Sequence, residues 1–398
     1  MEHRHIHILG ITLGMTLVLL LTGCSQDSPQ QTQEERPMRN LKMILGGQTY
    51  SDVSESPSHR ALPPGYSVYD ELNPQMALED IRIRVFVTQD GDSYPKYQGD
   101  FLCDKTTPPY YTWSSPKVPV DVGTYYIYGF MPSTEISKAG LAPKTTANLY
   151  SQGAQMTLND LPAVILYDPC VIVGVKGKEN NTTPITDLTD LQPGLFAYNA
   201  EADGQYLYVL LDHLYACFDF RMDIDEEYNK LRTIKVTKVE LKPADGQFKS
   251  VNVTATITPN TTSASPLSIA YDGTIGTTSG YTTLYVNETT PWTLKDFKET
   301  EYETLNFIAF VAPTANNKQF ILQTTYNVYD KEGNLIRKDC TVPNLIKLPD
   351  VVKASREVAA DRERILAGEK YIFKLTVNPS YIYVLSDPDL DNPSIKVN

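Results

Sequence analysis

Apolar and polar residues alternate over most of this chain. Ile81, Ile83, Val85 and Val87 alternate with Arg82, Arg84 and Phe86, the period of a half-buried strand. Val251, Val253, Ala255 and Ile257 alternate in the same way with Asn252, Thr254, Thr256 and Thr258. Similar patterning predicts strands over 118–122, 125–130, 163–167, 171–175, 281–286, 305–311, 320–329, 335–338 and 371–377, and an extended tail over 381–385 and 394–397. Leu210, Leu214, Ala216, Phe218, Phe220, Met222 and Ile224 share one face of a continuous extended segment, interrupted by Asp212. Ile234 and Val236, then Val239 and Leu241, change phase at Thr237 and Lys238, which predicts a bulge. Asp90-Gly91-Asp92 and the stretch from Asp330 to Asn334 supply turns. A helix is predicted only over 351–366, a charged stretch stopped by Gly368. Many short strands with turn signals between them predict an all-β protein of two tandem β-sandwiches. The polar stretch 199–204 places the division near residue 205, giving domains 61–205 and 206–398.

The N-terminus breaks this pattern. His3, Arg4, His5 and His7 precede an apolar run over 8–21, which is of signal-peptide length and short for a membrane span. The run ends in Leu21-Thr22-Gly23-Cys24, which resembles a bacterial lipobox. That resemblance implies a signal peptide over 1–23 and acylation of Cys24, with several acyl chains holding the protein on a membrane. Residues 25–37 are polar and Gln/Glu-rich, as in a tether. A short apolar run, 41–45, follows. Gly46-Gly47 and a Ser/Pro-rich loop then lead to Arg60.

Composition narrows the function. Asp and Glu number 48 against 35 Lys and Arg, for a formal net charge of -13. Nucleic acid needs a basic face, so it is not an expected partner. The 26 tyrosines and 27 prolines suit strands joined by irregular loops. Cys103, Cys170, Cys217 and Cys340 remain after Cys24, and no two are close in sequence. Neither a metal-binding CxxC nor a particular disulfide is indicated.

Candidate chemistry is sparse. Beyond residue 24 the only histidines are His59 and His213, too few for a His-rich zinc site and poor material for a Ser-His-Asp triad. His213 falls within a strand and reads as structural. Asp387, Asp389 and Asp391 have the alternation of a calcium loop, but Asn392 stands where glycine is required, so a Pro/Asp turn is expected. Asp223, Asp225, Glu226 and Glu227 read as a solvated loop after a strand, and Trp113 as a core or strand-face residue. No catalytic residue, metal or cofactor is expected.

The order of the segments resembles that of the fimbrillins, the type V pilins of Bacteroidales-type bacteria, over nearly the whole chain. The resemblance rests on the lipobox, the short strand and the Arg-bearing loop after it. It also rests on Glu79 to Val87 (EDIRIRVFV), Tyr125 to Pro132 (YYIYGFMP), Leu211 to Phe220 (LDHLYACFDF) and Gly368 to Val377 (GEKYIFKLTV). It implies two transthyretin-like domains and assembly by donor-strand exchange. Leu41, Met43 and Leu45 would belong to a leaving strand within a propeptide of residues 24–60. A trypsin-like or Arg-specific protease would cut between Arg60 and Ala61, with Arg39 a weaker site. Tyr381, Tyr383, Leu385, Ile395 and Val397 would be donor-segment candidates, or closing strands of the second domain. Other fimbrial subunits would be the partners, joined head to tail. The precursor would sit on the outer membrane through lipid alone, and the mature form on the cell surface. A surface lipoprotein that binds glycans beside a nutrient importer is the alternative, and a glycoside hydrolase a third.

Overall fold

The computed structural model describes residues 38–48, 50–52, 66–68, 82–104, 112–119, 123–178, 195–198, 206–244, 248–258, 267–275, 280–295, 305–313, 319–347, 365–381 and 388–397. The described residues all belong to one compact unit, Pro37–Asn398, and residues 1–36 lie outside them. Cys24, Arg60, Ala61, Tyr383, Leu385 and nearly all of the predicted helix over 351–366 also lie outside the described residues. The described chain is almost wholly strand, as the alternation predicts, arranged in four sheets.

The first sheet has nine strands. Tyr66–Val68 and Leu195–Tyr198 lie at its margin, and the other seven run in a closed circuit. Around the circuit, Met38–Gln48 is followed by Thr112–Pro119, Tyr97–Asp104, Arg82–Thr88, Gly123–Met131, Cys170–Lys178 and Tyr206–His213, which pairs with Met38–Gln48 again. The circuit closes through Cys170, which pairs with Met131 on one side and His213 on the other. Because side chains alternate between faces, one set points into the ring. Leu41, Met43, Leu45, Ile83, Val85, Val87, Phe101, Trp113 and Ile127 fill its interior with residues of this sheet alone. Gly129 has no room for a side chain, since a Cβ there would lie 2.4 Å from the Arg84 carbonyl oxygen.

The outer face of the ring carries Phe86, Tyr128, Phe130 and Val173. They pack against the four-stranded sheet of Ala139–Pro143, Ala154–Pro162, Phe248–Ile257 and Leu267–Ile275. Val251, Val253, Ala255 and Ile257 face that core at 0–1% exposure, on the face their alternation predicts.

The remaining two sheets enclose a third core. One joins Ala216–Ile224 and Glu369–Tyr381 in parallel and adds Leu305–Val311. The other is built on Thr233–Pro243, Gln319–Tyr329 and Leu335–Lys347. Phe218 lies at the centre of this core, 4.9 Å from Phe373, 5.1 Å from Phe320 and 5.4 Å from Tyr371. Such aromatic pairs add about 0.5–1.5 kcal/mol each beyond the burial of area. The bulge predicted at Thr237 is present, where the register with Gln319–Tyr329 shifts between Val236 and Lys238.

Three expectations are corrected. The segment from Leu210 to Ile224 is not one strand. It bends at Leu214 and Tyr215, so that Tyr206–His213 belongs to the ring and Ala216–Ile224 to the third sheet. The acidic stretch after Ile224 is not a loop but a short helix, Glu226–Leu231. Asp225 caps it by accepting from the backbone N–H groups of Glu227 and Tyr228, which satisfies two otherwise orphaned donors. The Asp-rich tail is not a turn throughout, because Asp389 lies within the strand Pro388–Val397.

The sheets also mix the two halves of the chain. Tyr206–His213, the first strand after residue 205, lies in the ring, and Phe248–Ile257 pairs with Ala154–Pro162. Val164–Ile165 pairs the other way, with Leu305–Val311.

Candidate functional site

Two features carry chemistry or binding potential, and the N-terminal segment links them. The first is the strand Met38–Gln48, which lies inside the ring rather than at an edge. Lys42 to Gly47 pair in parallel with Tyr206 to Leu211, and Met38 to Met43 pair antiparallel to the Thr112–Pro119 strand. Leu41, Met43 and Leu45 are at 1%, 0% and 3% exposure within the ring core. Arg39 lies in the paired part of this strand, opposite Val118. Trp113, expected as a core or strand-face residue, is buried in the same core and offers no exposed face.

At the other end of the chain, Pro388–Val397 pairs antiparallel with Glu369–Tyr381. Ile395 lies opposite Val377 and is buried in the third core, while Val397 lies opposite Leu375 and Tyr381 opposite Pro388. This strand therefore closes a sheet of its own chain.

The second feature is a buried polar cluster at the closing point of the ring. Asp168 sits in the turn between Val164–Ile165 and Cys170–Lys178. His213 ends its strand directly opposite Cys170. Burial of Asp168 is complete and that of His213 nearly so. The imidazole Nδ1 lies 2.8 Å from Asp168 Oδ2 and 3.5 Å from Cys170 Sγ. Tyr50, which follows the N-terminal strand, donates its hydroxyl to Asp168 Oδ1 at 2.8 Å. Its ring stacks on the imidazole with centroids 3.8 Å apart and planes 23° from parallel. The next two residues, Ser51–Asp52, pair with Glu369 and Lys370 of the third sheet. One short segment thus enters the ring, covers the cluster and joins the third sheet.

A carboxylate in an apolar interior is costly unless charge and hydrogen bonds compensate it. The Tyr50 hydroxyl and the His213 ring serve that purpose. Burial, and then the Asp168 charge, push the Tyr50 phenol and the Cys170 thiol well above their ordinary values. Burial does the same to Tyr128, Tyr215, Tyr271 and Cys217.

These groups are neutral when protonated, and in each the folded chain holds its proton more tightly than the unfolded chain. Stability is therefore complete below about pH 7.5, where the unfolded thiols and phenols are still protonated, and falls as pH rises through the unfolded thiol and then phenol values towards the folded-state ones. Each group contributes a slope of up to about 1.4 kcal/mol per pH unit. Urea midpoints are expected to fall steadily from pH 9 to pH 11, and a flat profile over that range would contradict this burial.

Among the described residues no disulfide joins Cys103, Cys170, Cys217 and Cys340. Cys170 and His213 are distant in sequence, and the only local hint of the cluster is the Asp168-Pro169-Cys170 spacing. No helix among the described residues is long and apolar enough to cross a membrane.

No family model and no curated protein matches the sequence. Solved structures do. A Bacteroides fragilis protein provisionally described as a cell adhesion protein is 14% identical, with 90% of this chain and 97% of that chain covered and a TM-score of 0.42. A fimbrial protein from Bacteroides vulgatus is 11% identical, with coverages of 90% and 98% and a TM-score of 0.33. The fimbrial anchor protein Mfa2 from Porphyromonas gingivalis is 12% identical, with coverages of 90% and 97% and a TM-score of 0.26.

Proposed function

We propose that this chain is a structural and adhesive subunit of a surface pilus, of tandem transthyretin-like build, exported as a lipoprotein precursor acylated at Cys24. Assembly follows a cut between Arg60 and Ala61, which frees residues 24–60 and leaves 61–398 as the mature subunit. The supporting observation is the place of the strand Met38–Gln48. It is close to the N-terminus, precedes a Ser/Pro-flanked arginine, and is hydrogen-bonded on both sides within a closed ring. Its loss would uncover the sites of Leu41, Met43 and Leu45, on the order of 5–9 kcal/mol of apolar burial. It would also leave backbone groups of both neighbouring strands without partners. Such a groove accepts an extended segment of another subunit, parallel to Tyr206–His213 and antiparallel to Thr112–Pro119.

The donor side is less prepared. To enter a neighbour's groove, Pro388–Val397 must leave Glu369–Tyr381 and give up the burial of Ile395. Polymerisation of the subunit on its own therefore requires this strand to be released after the cut and to exchange into the groove of the next copy.

The test is cleavage by an Arg-specific protease. The expected product begins at Ala61 and converts to high-mass polymer by size exclusion and electron microscopy, whereas Arg60→Gln stays monomeric. A product that begins at Ala61, has lost the N-terminal strand and stays monomeric would sink the polymer role.

A further inference from the structure

We propose that Asp168, Cys170 and His213 form a site for one divalent transition-metal ion of the zinc class, covered by the Tyr50 ring. A carboxylate, a thiol and an imidazole are the three donor types that zinc takes from proteins. The thiol argues against magnesium and calcium, which take oxygen donors.

The geometry agrees with the donor types. The donor atoms Oδ2 or Oδ1 of Asp168, Sγ of Cys170 and Nδ1 of His213 all lie within 4.8 Å of one another. Zinc bonds of about 2.0–2.3 Å in tetrahedral array span donors roughly 3.3–3.6 Å apart. The separation of 3.5 Å between Sγ and Nδ1 already has that size. The separation of 2.8 Å between Nδ1 and Oδ2 has to open by a few tenths of an ångström.

The frame is rigid. Cys170 and His213 are direct cross-strand partners, and Asp168 stands two residues before Cys170. All three are buried. Tyr50 holds the second carboxylate oxygen, as outer-shell donors do at metal sites.

Charge balance points the same way. A carboxylate, a thiolate and a neutral imidazole together carry two negative charges, which a divalent cation cancels. On metal entry the Sγ proton and any proton on Nδ1 leave to solvent, which is the usual proton release of such sites. Cys170 also pairs with Met131, so the ion would brace the point where the ring closes.

Cobalt(II) titration of the purified, reduced, metal-free chain tests the site. The expected result is saturation at one equivalent, with a thiolate-to-cobalt absorption band that Cys170→Ser abolishes and Cys103→Ser leaves intact. Zinc should displace the cobalt and raise the melting temperature, and a chelator should reverse the rise. Tyr50→Phe, which keeps the ring and removes only the hydroxyl, should weaken zinc binding about 10–100-fold. No cobalt band, or a band that survives Cys170→Ser, would overturn the site and leave the three residues as a hydrogen-bonded network only. Should Cys170→Ser fail to fold, Asp168→Asn is read by the same zinc affinity, and affinity equal to the parent chain would also overturn it.

Discussion

Met43→Asp is expected to expel the N-terminal strand from the ring. Met43 is completely buried, with Leu207 opposite it on one side and Trp113 on the other. An unpartnered carboxylate there costs on the order of 3–5 kcal/mol, from the methionine burial that is lost and the charge that is desolvated. The strand is terminal to the rest of the ring, so the chain has a cheaper response than global unfolding: it can release Met38–Gln48 and keep its other sheets. The loss of global stability should then level off at the free energy that docks this strand. Limited proteolysis within 38–48 should become fast, while the cores around Phe218 and Val253 stay protected from hydrogen exchange. If the released groove accepts donor segments, Met43→Asp should also self-associate without any cut at Arg60. Lys42→Gln, at the neighbouring partly exposed position, should shift stability by no more than about 1 kcal/mol, the scale of a partly exposed polar or ionic contact, and should not open the strand selectively. Equal global destabilisation, with no selective opening of 38–48, would show that this strand is fused to the fold rather than separable from it.

His213→Leu is expected to destabilise the metal-free chain by about 3 kcal/mol. The substitution puts an apolar side chain of similar size in place of the imidazole and removes the Nδ1 partner that lies 2.8 Å from Asp168. The buried carboxylate then retains the Tyr50 hydroxyl but loses the imidazole, and a charge-assisted hydrogen bond is worth about 1.5–3 kcal/mol. The stacked Tyr50 ring also loses its aromatic neighbour. Asp168→Leu combined with His213→Leu removes the charge together with its partner, and apolar replacement of a whole buried pair is often close to neutral. Chemical denaturation of the two single variants and the double variant forms a thermodynamic cycle. A double variant that loses the full sum of the single effects would show that the pair does not act as a unit.

Both experiments probe one segment, because Met38–Gln48 enters the ring and Tyr50 covers the polar cluster two residues later. Release of the strand would also draw Tyr50 away from Asp168 and His213. In the proposed assembly, the cut that opens the groove would remove this cover as well.

Much of the local structure can be read from the order of residues. Period-two alternation identifies Val251 to Ile257 as a strand and states which side chains are buried, because successive residues of a strand point to opposite faces. The phase change at Thr237 marks a bulge for the same reason, since one extra residue reverses the faces. Gly333 stands at φ +90° in the turn after Tyr329, a conformation that glycine adopts without strain. The short apolar run 41–45 is visible as a strand, but the strand extends beyond it to Met38–Gln48 and takes in Gly46 and Gly47, which the sequence pattern assigns to the following loop.

Alternation names a face but not a partner. Nothing local states that Met38–Gln48 lies between Thr112–Pro119 and Tyr206–His213, or that Cys170 closes a ring in a sheet expected to be one side of a sandwich. The apolar period from Leu210 to Ile224 continues across Leu214 and Tyr215, so it conceals the point where the chain passes from one sheet to another. The helix Glu226–Leu231 is too short for a 3.6-residue period to emerge, and its only signal is the Asp225 cap with two glutamates after it. Asp168, Cys170 and His213 are ordinary residues in sequence, and antiparallel pairing alone brings the last two face to face. Strand identity and facing thus follow from side-chain period and turn chemistry, which are local. Ring closure, the sharing of strands between the two halves and the polar cluster follow from long-range pairing, which only the packing of the whole chain decides.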